Sequence, residues 1–152
     1  MREITGMIDG MREELTQIRR ELHRHPELSG QEFGTADRIC GYLDRWGVEY
    51  ERGIAGTGIV AAVKGKLPGK AVGLRADMDA LPVEEERDVP YRSENPGVMH
   101  ACGHDAHVTV LLGAAKVFQS MRDELAGTVK FFFQPAEETT GGAERMIEAG
   151  CL

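Results

Sequence analysis

Near the start of the chain Met7, Met11, Leu15, Ile18 and Leu22 recur three or four positions apart with charged residues between them, a helical stripe that Pro26 stops. Ser29-Gly30-Gln31-Glu32 then has the form of a capping box, and Ile39, Leu43 and Trp46 continue as one stripe until Gly47. Two amphipathic helices are predicted. After them the period shortens: 48–52, 58–64 and 71–76 are β-prone, and Leu67-Pro68-Gly69-Lys70 between the last two predicts an antiparallel hairpin. Residues 78–103 carry Pro82, Pro90 and Pro96 among many charges and keep no period. A connection of that length without its own structure is expected to be functional. Val108, Leu111, Leu112, Ala115 and Phe118 predict a helix over 106–121. The nearly continuous apolar run 128–133 predicts a strand buried on both faces, and 142–149 a short last helix ending at Gly150. Helices alternating with strands predict an α/β domain, a layered mixed sheet flanked by helices.

Composition narrows the chemistry. The chain has 152 residues, 41% hydrophobic and 28% charged, enough for one domain with a sizeable core. A net charge of -7 with scattered basic residues argues against a nucleic-acid partner, since phosphate binding needs a basic stripe. No apolar run approaches the roughly 20 residues that span a bilayer, and the first residues lack an apolar signal core, so neither a membrane association nor export is expected and the default location is cytoplasmic. Cys40, Cys102 and Cys151 cannot all pair and read as reduced thiols. Cys40 and Cys151 fit the role of small buried hydrophobes.

Cys102 stands in different company. His100-Ala101-Cys102-Gly103-His104-Asp105-Ala106-His107 packs three histidines, a cysteine and an aspartate into one stretch where the long loop meets a helix. Thiolate and imidazole are good ligands for zinc-like ions, and Gly103 lets the backbone turn so that both face one point. A loop with incidental histidines would look the same. Gln134-Pro135-Ala136-Glu137-Glu138 follows the apolar strand directly, where ligands collect in open α/β sheets. One carboxylate there can hold a cation while the other takes a proton from water, or both can simply open the next helix. Arg75-Ala76-Asp77-Met78-Asp79 places two carboxylates at another strand end, either orienting metal-bound histidines or forming a solvated turn. The pair His23 and His25 before Pro26 reads as a structural helix end. Gly56-Thr57-Gly58 lacks the third glycine of a dinucleotide fingerprint.

Taken together and in order, LHRHPELSGQE (22–32), RADMDALP (75–82), HACGHDAH (100–107) and QPAEE (134–138) resemble the aminoacylase-like metallopeptidase family, in particular its N-acyl-amino-acid amidohydrolases such as hippurate hydrolase and the indole-acetyl-amino-acid hydrolases. The resemblance implies that Cys102, His104 and Glu138 are metal ligands, with the cysteine bridging two ions, and that Glu137 is the catalytic base. Asp77 and Asp79 fall where the wider family has a His-x-Asp pair. With an aspartate at the histidine position, they are expected to orient neighbouring groups from behind the ligands.

The resemblance further implies divalent ions, zinc or manganese with cobalt or nickel as alternatives, two per complete site, and a small N-acyl amino acid as substrate. It makes 1–152 the N-terminal portion of an incomplete zinc-exopeptidase-like catalytic domain. A lid domain through which complete members form homodimers, two further histidine ligands and the rest of the catalytic domain are expected outside it. The rival expectation is a truncated, non-catalytic fragment with at most a binding or partner-association role.

Overall fold

The computed structural model describes residues 2–139 and 141–152. The first apolar stripe is carried by two helices, α1 (Arg2–Gly10) and α2 (Arg12–Arg24), where one was expected. The break falls at Met11 (φ -96°, ψ -3°), directly after Gly10, the poorest helix former other than proline. Helix α3 (Phe33–Trp46) ends as predicted at Gly47, which is left-handed at φ 66°. Its start differs from the expected capping box, because Glu32 makes no side-chain cap bond. The free amides of Gly34 and Thr35 instead donate to Glu27 at 3.0 and 2.7 Å. The Glu32 side chain turns instead to Thr57 and Ala136, donors distant in sequence.

Four strands follow the predicted runs: β1 (Glu49–Ile54), β2 (Gly58–Lys64), β3 (Leu67–Asp77) and β4 (Ala126–Gln134), in the sheet order β1-β2-β4-β3. The expected hairpin between β2 and β3 is therefore wrong. Strand β4 lies between them, antiparallel to β2 and parallel to β3. The Pro-Gly segment does not fold back on β2 because its backbone is taken by the start of β4, with Gly65 donating to Gly127 at 2.8 Å and Leu67 to Leu125 at 3.1 Å. Strand β4 also departs from burial on both faces. Phe131 and Phe133 are fully enclosed, whereas Lys130 and Phe132 on the opposite face are half-buried.

Helix α4 (His104–Ser120) completes a β3–α4–β4 crossover, and α5 (Gly142–Glu148) follows β4. Ile39 and Leu43 of α3 and Val108 and Leu112 of α4 pack with Ile59, Phe131 and Phe133 on one face of the sheet. The long connection 78–103 is pinned along its length. Ala80 donates to the Glu27 carbonyl at 2.8 Å, Leu81 and Met99 exchange 3.0 Å bonds, and the Asn95 amide reaches the Pro26 carbonyl at 2.6 Å. Because β3 and β4 are parallel neighbours, their carboxyl ends, Asp77 beside Gln134, open on the same edge where α4 begins.

Candidate metal centre

Gly103 (φ 95°) takes the left-handed turn that starts α4, so His104 enters as the first helical residue with 2% of its surface exposed. Its Nδ1 donates to the Asp79 carbonyl at 3.0 Å and lies 3.2 Å from Asp79 Oδ1. This fixes the tautomer and leaves Nε2 as the free nitrogen. Around Nε2 stand Asp77 Oδ1 and Glu138 Oε1, each at 3.6 Å, and Glu137 Oε2 at 3.8 Å. These separations are too long for hydrogen bonds but close to the edge of a coordination tetrahedron, about 3.3 to 3.6 Å for bonds of about 2.0 to 2.2 Å. One ligand atom from each of Cys102, His104 and Glu138 lies within 4.8 Å of the other two.

Among the described residues Glu138 Oε1 is buried with no hydrogen-bond partner. Such an orphan costs about 1 to 3 kcal/mol unless something satisfies it. A divalent cation between it, His104 Nε2 and Cys102 Sγ would do so, and the thiolate, imidazole and carboxylate set suits one. The residues present therefore fit a metal ion.

The two glutamates are held in place from behind. Ala136 sits at φ 52°, a left-handed conformation unusual for a residue with a side chain, and its N–H donates to Glu32 Oε1 at 2.8 Å. The same carboxylate accepts from Gly30 N at 2.9 Å and Thr57 Oγ1 at 2.7 Å, which is what removes Glu32 from the start of α3. Gly142 packs so closely that a Cβ there would lie 1.9 Å from the Pro135 carbonyl oxygen. Glu138 N donates to Asp79 Oδ2 at 2.9 Å, and Ser29 Oγ reaches the same oxygen at 2.6 Å. Since α5 begins only at Gly142, neither glutamate lies in its first turn. Glu137 is the more open, with 39% of its side chain exposed against 19% for Glu138.

Electrostatics make this a cation pocket. Burial opposes charge on Asp79, yet hydrogen bonds from His104, Ser29 and the backbone of Glu138 and Glu137 hold its carboxyl well below the usual range. Asp77 is likewise lowered against burial, through His107 (Nδ1 to Oδ1, 2.6 Å), His104 and Arg75 (2.8 Å to Oδ2). Burial would lower His104, but Asp79, Asp77 and Glu138 raise it overall. The Cys102 thiol is pushed up by the nearby Glu138 carboxylate, by burial and by the charges of Glu137 and Asp77. A positive ion inverts that last preference and favours the thiolate.

A second buried polar network lies behind the helix start, and sequence reasoning missed it by reading His23 as a helix end. His23 is fully buried between Asp105 (Nδ1 to Oδ2, 2.7 Å) and Glu85 (Nε2 to Oε1, 3.1 Å), and Arg19 reaches Asp105 at 2.8 Å. It ties α2, the long connection and the first turn of α4 together. The roles of Ser29 and Glu32 were missed as well, because a capping-box pattern gave them a local explanation, and that of Glu27 because it sits in the stretch read as a helix end.

Residues 73–152 match the profile of Peptidase family M20/M25/M40. The chain belongs to that family. The M20 match takes in Asp77, Asp79, Cys102, His104, Glu137 and Glu138, while Glu27, Ser29 and Glu32 precede it. The chain is 47% identical to an N-acyl-L-amino acid amidohydrolase of Geobacillus stearothermophilus, over 99% of this chain and 41% of that protein. It is 49% identical to the IAA-amino acid hydrolase ILR1-like 5 of Arabidopsis thaliana, over 89% of this chain and 31% of that protein. Among solved M20 structures, the Bacillus subtilis YXEP protein, a dinuclear metal binding peptidase, superposes with a TM-score of 0.89 at 43% identity, covering 93% of this chain and 40% of that one. The chain thus spans well under half the length of these relatives. Among the described residues no helix is long and apolar enough to cross a membrane.

Proposed function

We propose that residues 1–152 form the N-terminal portion of the catalytic domain of a metal-dependent amidohydrolase that cleaves the amide bond of N-acyl amino acids, with the lid domain and the remainder of the catalytic domain outside them. The observation that carries this reading is the convergence of Cys102, His104 Nε2 and the orphan Glu138 Oε1. The substrate class is supported by the names of the relatives from Geobacillus and Arabidopsis.

Cys102, His104 and Glu138 would hold the ion, which when bound supplies Lewis acidity and lowers the pKa of water toward about 7. Asp79 keeps the His104 proton on Nδ1, so that Nε2 offers its lone pair. Glu137, 3.8 Å from that nitrogen and open to solvent, is the base. It accepts a proton from the water that attacks the amide carbon, and returns it to the nitrogen as the C–N bond breaks. The donor set suits zinc, with manganese, cobalt or nickel as alternatives, and the dinuclear relative supports two ions per complete site. A small-molecule substrate, homodimerisation through the lid domain and a reducing cytoplasmic location belong to the same proposal.

The second reading, a non-catalytic fragment with a binding role, is favoured by the ligand count, since three ligands shared between two ions leave each below the usual three. The glutamates separate the two. Glu137→Gln should keep metal and, in a polypeptide carrying the rest of the catalytic domain, lose turnover of N-acyl amino acids. Glu138→Gln should lose metal as well. Equal metal content and equal residual activity in both variants would overturn the assignment.

A further inference from the structure

His104 is shared by two different three-residue groups. Besides Cys102 and Glu138, it lies with Asp77 and His107 in a second cluster whose ligand atoms are all within 4.8 Å of one another. Asp77 Oδ1 stands at 3.6 Å from Nε2, the same separation as Glu138 Oε1 on the other side. His107 lies one helical turn along α4, its ring stacked on that of His104 with centroids 5.5 Å apart. An imidazole nitrogen has one lone pair, so the two groups cannot both use it at once.

We infer that Asp77, His104 and His107 form an alternative cation position, without sulfur, that takes one divalent ion when Cys102 cannot act as a ligand. The inference rests on reading the centre as a metal site. In the structure as it stands this second position is held closed. His107 Nδ1 donates to Asp77 Oδ1 at 2.6 Å, about 1 Å shorter than two ligand atoms of one ion sit apart. Arg75 Nη1 holds the other Asp77 oxygen at 2.8 Å, and Arg75 is itself anchored through Nε to Gln134 Oε1 at 2.8 Å. Opening needs only a small movement of the half-exposed His107 ring and transfer of its proton from Nδ1 to Nε2, with no net change in charge. The S, N, O group is thereby preferred by a soft ion, and the N, N, O group is its sulfur-free counterpart for harder ions. The second position does not depend on Cys102, so it keeps an ion on His104 when the thiol is lost.

Cobalt(II) titration of the 152-residue chain, read by absorbance and by equilibrium dialysis, tests this. The wild-type chain should bind with a near-ultraviolet thiolate-to-metal charge-transfer band. Cys102→Ala should lose that band yet still bind one equivalent with visible d–d bands. Adding either Asp77→Asn or His107→Ala to Cys102→Ala should weaken binding by at least a further order of magnitude. His107 is exposed, so that variant keeps the fold intact. If Cys102→Ala alone abolishes cobalt binding, or if neither second substitution weakens it, the alternative position does not exist. Absence of the charge-transfer band in wild type would instead strike at the Cys102 assignment itself.

Discussion

Replacing Asp79 by asparagine probes the centre without touching a ligand. One oxygen of Asp79 faces His104 Nδ1 at 3.2 Å, and the other accepts from Ser29 Oγ at 2.6 Å and Glu138 N at 2.9 Å. An asparagine has one acceptor oxygen and one donor amide. If its oxygen serves Ser29 and Glu138, its NH2 group confronts His104 Nδ1–H and favours the tautomer with the proton on Nε2, the nitrogen an ion needs. The Asp79 backbone carbonyl, 3.0 Å from Nδ1, still holds the original tautomer in part. The loss should therefore be that of an altered supporting partner, about 10- to 100-fold in metal affinity, or about 1.4 to 2.7 kcal/mol. Competition against a chromophoric chelator measures the affinity, and nitrogen-15 NMR of the imidazoles reads the tautomer. Metal affinity within twofold of wild type, with the His104 proton still on Nδ1, would refute the reasoning.

Two further perturbations test the scaffold. Glu32→Ala strands the donors Gly30 N, Ala136 N and Thr57 Oγ1 and releases the left-handed Ala136, so it should cost at least about 3 kcal/mol in urea unfolding; a loss under about 1 kcal/mol would show that the buried carboxylate does not hold the turn. The His23 network should give a pH window of stability. Hydrogen bonding to Asp105, outweighing burial, raises His23 above 6.5, so its contribution is full below that value and is lost as pH rises through the raised pKa. Against the cost of burial, hydrogen bonds and charges lower Asp105 from 3.8 and Glu85 from 4.5, so their contributions are present above those values and are lost as pH falls through the lowered ones. The network should stabilise most between about 4.5 and 6.5, and His23→Leu, which removes the bonds to both carboxylates but leaves Arg19 on Asp105 and Arg87 on Glu85, should cost about 1.5 to 3 kcal/mol and flatten the profile. An unchanged profile in that variant would remove the network from the account.

How much of this was legible in the sequence depends on the distance over which each signal acts. The apolar periods of α3, α4 and β4 are local, and they located those elements to within a few residues. Cys102 and His104 were visible because they crowd one short motif, and Glu137 and Glu138 because they follow an apolar strand directly. Strand order was not legible. The Pro-Gly turn predicts a hairpin from local chemistry alone, whereas the partner of β3 is set by the apolar β4 more than fifty residues later. Ser29 and Glu32 failed for the same reason. Their spacing fits a capping box, but stronger partners, Asp79 for Ser29 and Ala136 for Glu32, arrive only when the chain folds. His23 likewise carries no local sign of Asp105, 82 residues away.

The central claim is that one divalent ion is gripped by Cys102, His104 and Glu138, and anomalous scattering from a zinc-soaked crystal tests it most directly. A peak recorded above the zinc absorption edge should lie about 2.3 Å from Cys102 Sγ, about 2.0 to 2.1 Å from His104 Nε2 and about 2.0 to 2.2 Å from Glu138 Oε1, with Glu137 outside the coordination sphere. A peak elsewhere on the chain, or one bonded to Glu137 and not to Glu138, would contradict the account.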